Sequence, residues 1–282
     1  MKYKSVRRIR KYILFLIIII SILAAGFYKT FSADKKPLAD TVSEEVKDIL
    51  ASTAALTPSV KSEVEVTKKV FGYSAKGKPI EGYVIGSGEN GLFLFGSIHG
   101  NEMGTADLLN RLVKEIKADP KLVGNDMKII ILPIVNPDGY FDRIDKLNAN
   151  EVNLNLNFDT TDWLQYGKDE GHWAGNKPFS EPESMVIKEI VENYKPKRMI
   201  SYHSKGAIVN PEYNHESSLA LALWYAEKTG YQFYGDGDWD YSGTATRWFK
   251  ETTNNATITV ELSDHINNDW EINKAALLEL VS

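Results

Sequence analysis

The residues best equipped for chemistry begin at His99 and Glu102, within Phe95-Gly96-Ser97-Ile98-His99-Gly100-Asn101-Glu102. Three positions apart on a turn, an imidazole nitrogen and a carboxylate can point at one spot, a donor pair suited to a borderline-soft divalent ion such as zinc. His203, in Tyr202-His203-Ser204, and Glu261, in Thr259-Val260-Glu261-Leu262, carry the same chemistry further along. Two histidines and one glutamate hold a zinc ion with a position left open, the pattern of a catalytic rather than a structural site. The glutamate left over, Glu261, is then the natural general base for an attacking water.

The elements that must position these groups follow from the apolar pattern. Leu92 to Phe95 is an unbroken apolar run and reads as a buried strand, followed at Met103 to Ile116 by apolar residues at helical spacing. Gly96 and Gly100 are expected to let the backbone bend between them. Met127 to Val135 is a second continuous apolar run, ending in Asn136-Pro137-Asp138-Gly139. Glu63 to Phe71 and Pro79 to Gly86 alternate like strands, Lys197 to Ser201 leads into Tyr202-His203-Ser204, and Ile258 to Leu262 reads as a further strand. Helices are expected over Glu181 to Tyr194, with Ser180 as cap and Glu183 at the capping-box position, over Leu219 to Thr229 and over Ile272 to Val281. Strands apolar on both faces, alternating with helices, predict an α/β/α sandwich around a mostly parallel, twisted mixed sheet. In such sheets functional groups gather at the carboxyl ends of the strands, where His99, Glu102, His203 and Glu261 all fall.

Composition narrows the function classes. The 282 residues suffice for one catalytic domain with extra segments, and the net charge of −5, with its basic residues gathered at the start, gives no nucleic-acid-binding face. With no cysteine, disulfides, thiolate metal sites, a cysteine nucleophile and a lipidated N-terminal cysteine are excluded. Lys2, Lys4, Arg7, Arg8, Arg10 and Lys11 precede an almost wholly apolar stretch from Ile13 to Phe27. Residues 1–31 are therefore read as a signal peptide or a single membrane anchor, with Ala24-Ala25-Gly26 a cleavage site and the bulk of the chain outside the cytoplasm. The polar residues 32–64 are expected to be a linker or stalk, and 65–282 the catalytic domain.

Taken in order, the motifs resemble those of the zinc carboxypeptidases, the carboxypeptidase A-like metallopeptidases. The resemblance runs from about Phe71 to Leu262 through Gly77-Lys78-Pro79-Ile80, His99-Gly100-Asn101-Glu102, Asn136-Pro137-Asp138-Gly139, the segment Asn148 to Phe158, Phe179-Ser180-Glu181-Pro182-Glu183, Tyr202-His203-Ser204 and Thr259-Val260-Glu261-Leu262. It implies one zinc ion per chain on His99, Glu102 and His203, with Glu261 as the base that activates water and passes its proton to the leaving amine. Where the family has an oxyanion-stabilising arginine this chain has Lys146, a point charge without a bidentate fork, unless Arg143 reaches in. The family's carboxylate-gripping asparagine-arginine pair is Asn155-Leu156 here, and leucine cannot bind a carboxylate. Tyr241 is the candidate for the family's mobile tyrosine, although counting back from Ser242-Gly243 places Trp239 at that position. Arg247 is a possible substitute carboxylate reader, and Asn153, usually aspartate in the family, is expected to keep a structural hydrogen bond.

The remaining histidines, His172, His215 and His265, read as surface residues, His172 with the option of lining the cleft rim. Trp163, Tyr166, Trp173, Tyr234, Trp239 and Tyr241 are divided between a binding wall and the core. The resulting expectation is an exported, membrane-proximal metallopeptidase acting on peptidoglycan stem peptides. The alternatives are a general carboxypeptidase anchoring its substrate through Lys205 or Arg247, a relative of zinc-dependent acyl-amino-acid deacylases, and a metal-binding or wall-binding module that has lost catalysis.

Overall fold

The computed structural model describes residues 64–143, 145–165, 171–235 and 241–282, except for the side chain of Arg143. The expected export segment 1–31, residues 32–63 of the expected stalk, and the candidates Trp239, Tyr166 and the Arg143 side chain lie outside the described residues.

Eight strands form one sheet in the order β1-β2-β4-β3-β5-β8-β6-β7. They are β1 (Val66–Tyr73), β2 (Pro79–Ile85), β3 (Asn90–Phe95), β4 (Met127–Leu132), β5 (Arg198–Ser204), β6 (Ile208–Pro211), β7 (Gln232–Phe233) and β8 (Ala256–Leu262). The centre, β4-β3-β5-β8, is parallel throughout. Antiparallel pairings attach β2 and β1 on one side and β6 on the other. The result is the mostly parallel mixed sheet that the apolar runs predict.

Side-chain alternation along the central strands divides the core in two. Leu92, Leu94, Ile129, Ile131, Ile200 and Ile258 face α1 (Met103–Ala118), α3 (Glu216–Thr229) and α5 (Trp270–Val281). Phe93, Phe95, Ile130, Leu132 and Met199 face α2 (Pro182–Tyr194) and α4 (Ala245–Thr253). Both layers are needed because each strand is apolar on both sides; fully burying one such side chain is worth about 1.5–3 kcal/mol. The α/β/α architecture follows.

The chain leaves β3 through α1 to β4 on one side, then crosses to the opposite side of β3 to make β5. Connections diverging from neighbouring strands open a crevice at their carboxyl ends. The β3/β5 boundary is that point.

The expected cap of α2 is corrected. Its N-cap is Glu181, with Pro182 in the first turn. Ser180 donates to the Glu181 carboxylate at 2.8 Å instead of capping the helix. Asn157 supplies the capping acceptor from a distant loop: its Oδ1 accepts from the Glu181 N–H at 3.2 Å and from Ser184 Oγ at 2.6 Å. Glu183 is fully buried and accepts from the Ala75 N–H at 3.0 Å and from Asn148 Nδ2 at 3.2 Å.

Candidate active site

The turn after β3 is held by hydrogen bonds rather than by glycine torsions. Gly96 and Gly100 do not adopt positive φ; Ser97 does, at 44°. Left-handed backbone costs a non-glycine residue about 1–2 kcal/mol. Here it is offset by the Ser97 N–H donating to Thr105 Oγ1 at 2.8 Å, Ser97 Oγ donating to the Glu102 carbonyl at 3.0 Å and Thr105 Oγ1 donating to the same carbonyl at 2.7 Å. Gly100 is required for a different reason: a Cβ there would collide with the backbone of Gly139 and Tyr140. The expected bend exists, with the strain moved to Ser97 and the glycine used for close approach.

This turn aims His99 and Glu102 at His203, which ends β5 next door. His99 Nδ1 lies 2.9 Å from Glu102 Oε1, His203 Nδ1 lies 3.1 Å from Glu102 Oε2, and the two Nδ1 atoms are 3.3 Å apart. All three residues are buried, and their donor atoms lie within 4.8 Å of one another. Two imidazole nitrogens and one carboxylate at a single point are a zinc donor set, and Glu102 Oε2, 3.1 Å from His203 Nδ1, has no hydrogen bond of good geometry. These residues fit the ion.

Asn153 prepares His99 for that role. The Asn153 amide is oriented by two backbone groups: its Nδ2 donates to the Gly171 carbonyl at 3.2 Å and its Oδ1 accepts from the Asn155 N–H at 3.1 Å. Oδ1 therefore faces His99 Nε2, at 3.0 Å, and takes its proton in a hydrogen bond. The lone pair is left on Nδ1, pointing at the site.

The electrostatics agree. Burial opposes ionisation of Glu102, but the adjoining His99 and His203 outweigh it and hold the carboxyl at about 2. Burial lowers His99, keeping it neutral. Burial also disfavours charge on His203, yet Glu102 draws it upward overall.

Glu261 stands one strand over, in β8, in direct register with His203. Burial raises its carboxyl to about 7, against the downward pull of His203. Lys146 is half-buried on the same cleft, and its charge lowers His99, His203 and Glu261 alike.

The cleft has a volume of about 720 Å³, and Asn155, Leu156, Tyr241 and Arg247 line it with the four site residues. Asn155 Oδ1 accepts from the Ala245 N–H at 3.2 Å, which leaves its amide nitrogen for a ligand. Arg247 is not a free carboxylate reader: it pairs with Asp162 and lies 3.7 Å from Glu212 through Nε. Tyr241 is exposed at the mouth and stacks on His172, ring centroids 6.0 Å apart, which places His172 at the rim.

Other expectations change. His265 is a cleft-wall residue whose Nδ1 lies 2.7 Å from Ser204 Oγ, and His215 pairs with Ser218 Oγ at 2.7 Å at the start of α3. Trp163, Trp173 and Tyr234 do not line the cleft, whereas Tyr213 does. Sequence reasoning missed Asn210 and Glu212, which form part of the wall. They sit in and just after a four-residue strand, too short to carry a periodic signal from which they could be found.

A family model described as zinc carboxypeptidase matches residues 53–276. Murein peptide amidase A from Vibrio campbellii is 27% identical over 222 residues, covering 74% of this chain and 84% of that protein. Bovine thrombin-activatable fibrinolysis inhibitor, solved in complex with tick carboxypeptidase inhibitor, superposes with a TM-score of 0.68 at 21% identity, over 83% of this chain and 94% of the other. The murein-tripeptide amidase of Escherichia coli O157 superposes with a TM-score of 0.62 at 22% identity, over 80% and 96%.

Proposed function

The chain belongs to the zinc carboxypeptidase family, and from that premise we propose that it is an exported metallopeptidase that hydrolyses an amide bond in the stem peptides of bacterial cell-wall peptidoglycan. Held by His99, Glu102 and His203, zinc supplies Lewis acidity to the scissile carbonyl and lowers the pKa of water. Glu261, raised to about 7 by burial, accepts the proton of the attacking water and returns it to the leaving nitrogen. Lys146 places a positive charge where the carbonyl oxygen becomes negative. Asn155 offers its amide nitrogen to the substrate backbone.

Leu156 carries the substrate reading. It lines the cleft where the resemblance places a guanidinium, so an ordinary peptide C-terminus meets no bidentate clamp from that position. The similarity to murein peptide amidase A supports a substrate with γ-linked and D-configured residues. The basic flank and apolar run of residues 1–31 support export, with or without retention as an anchor. A general carboxypeptidase is the second reading, favoured by Lys205 on the cleft wall.

A substrate panel separates the two. Zinc-loaded enzyme is incubated with purified muropeptides and with ordinary L-peptides, and the products are read by mass spectrometry. Cleavage of muropeptides, with the mass lost naming the bond, is the expected result; cleavage of L-peptide C-termini alone contradicts it.

A further inference from the structure

A second concavity, of about 420 Å³, shares no lining residue with the catalytic cleft. Arg111 of α1, Asn267 and Asn268 of the loop between β8 and α5, and Trp270, Glu271 and Ile272 at the start of α5 form its walls. That loop serves both places: His265 lines the cleft, and Asn267, two residues on, lines the concavity, at most about 7 Å away along the backbone. It is fixed on α1, where the Gly104 N–H donates to the His265 carbonyl at 2.6 Å and a Cβ on Gly104 would collide with the Asn267 carbonyl.

The walls offer more donors than acceptors. Trp270 is 6% exposed, and its Nε1 has no hydrogen-bond partner among the described residues. An indole N–H can only donate, and leaving it buried and unmet is costly, so an acceptor is missing there. Asn267 and Asn268 spend their oxygens on the loop itself, accepting from the Asp269 N–H at 3.2 Å and from the Trp270 N–H at 3.1 Å, which leaves both amide nitrogens to donate outward. Arg111 gives Nη2 to Glu115 at 2.8 Å and lies over the Trp270 ring, 5.5 Å from its centroid, with Nη1 and Nε to spare. Charge does not favour an anion. Glu115 balances Arg111, and Glu271 adds a carboxylate to the lining.

The ligand that suits these walls is neutral, rich in acceptors, able to donate to one carboxylate, and equipped with a small apolar group for Ile272, which is 40% exposed. We propose that the concavity is an exosite for an N-acetylated sugar, holding the glycan to which a stem peptide is attached while the peptide lies in the cleft. The acetamido carbonyl and ring hydroxyls accept from Trp270, Asn267, Asn268 and Arg111, a hydroxyl donates to Glu271, and the acetyl methyl meets Ile272. A sugar ring presents acceptors on several sides, as donors arriving from α1, the loop and α5 require. The exosite rests on the peptidoglycan reading for its ligand, and the loop shared with the cleft puts it within reach of a substrate that leaves past His265.

The test uses zinc-loaded, full-length protein. N,N′,N″-triacetylchitotriose, and maltotriose as a sugar without acetamido groups, are titrated by isothermal calorimetry into the Glu261→Gln protein. We expect saturable binding of the acetylated trisaccharide only, weakened about three- to tenfold by Trp270→Phe, which removes the indole donor, and by Arg111→Ala. The Arg111 side chain is 44% exposed, so its variant keeps the test decisive where Trp270→Phe fails to fold. With Glu261 intact, a stem peptide carrying its disaccharide should be cleaved with a lower KM than the free stem peptide, and Arg111→Ala should remove the difference. Trisaccharide binding that the variants weaken, without cleavage of either stem peptide, keeps the exosite and removes the stem-peptide reading. No saturable trisaccharide binding, equal binding of maltotriose, binding untouched by both variants, or a free stem peptide cleaved with the same or a lower KM than the linked one overturns the exosite; turnover of the stem peptides decides that reading separately.

Discussion

At the scale of the residue, the site depends on one proton being in the right place on His99. Asn153 holds it on Nε2, so replacing Asn153 by Ala frees the imidazole to rotate and to adopt the other tautomer. Such outer partners are worth about 10–100-fold in metal affinity. Zinc dissociation constants for Asn153→Ala, measured by chelator competition, should rise by that factor; an unchanged constant would mean that packing alone orients His99. The pH dependence follows from Glu261. A base must be ionised to accept a proton, so kcat/KM falls as pH drops through its pKa. Burial sets that value at about 7 in the metal-free fold, and the positive charge of bound zinc draws it down. The acid limb therefore lies below pH 7, with activity rising as pH rises; a kcat/KM that increases on acidification would exclude Glu261 as the base.

At the scale of the element, the loop that carries Asn153 and Asn155 is locked to α2 by Asn157. Its Nδ2 donates to the Ala174 carbonyl at 2.7 Å, to the Lys177 carbonyl at 3.1 Å and to Ser180 Oγ at 3.0 Å, while Oδ1 caps the helix. Asn157→Ala strands several buried groups and should destabilise the protein by about 3 kcal/mol in urea unfolding. A loss under about 0.5 kcal/mol would show that water replaces the side chain. The same element shows why the sequence was only partly legible. The central strands and α1 announce themselves through uninterrupted apolar runs and helical spacing, and strand ends give the location of His99, His203 and Glu261. Ser180 and Glu183 match a capping signature, yet Asn157, 24 residues away from Glu181, takes the position through tertiary contact. Short elements leave no periodic trace: β6 has four residues and β7 two, and the nine-residue α4 lies between polar loops. Asn210, Glu212 and the partners of Arg247 therefore emerge only when the chain is folded. Ser97 could not be anticipated either, because its left-handed backbone is stabilised by Thr105 from the next helix.

At the scale of the whole molecule, the order β4-β3-β5-β8 places metal donors and base on three adjacent strands, so one crevice serves both. Export is argued from residues 1–31, and protease treatment of intact spheroplasts tests it: the catalytic domain should be digested from outside, and protection would place the domain in the cytoplasm. The most direct test of the hydrolytic centre compares wild type with Glu261→Gln for bound zinc and muropeptide turnover in one preparation. Retention of one zinc per chain with turnover reduced by about 10²–10⁴-fold is the predicted result. Loss of zinc in the variant, or turnover at the wild-type rate with zinc retained, would contradict the assignment of Glu261 as the base beside His99, Glu102 and His203.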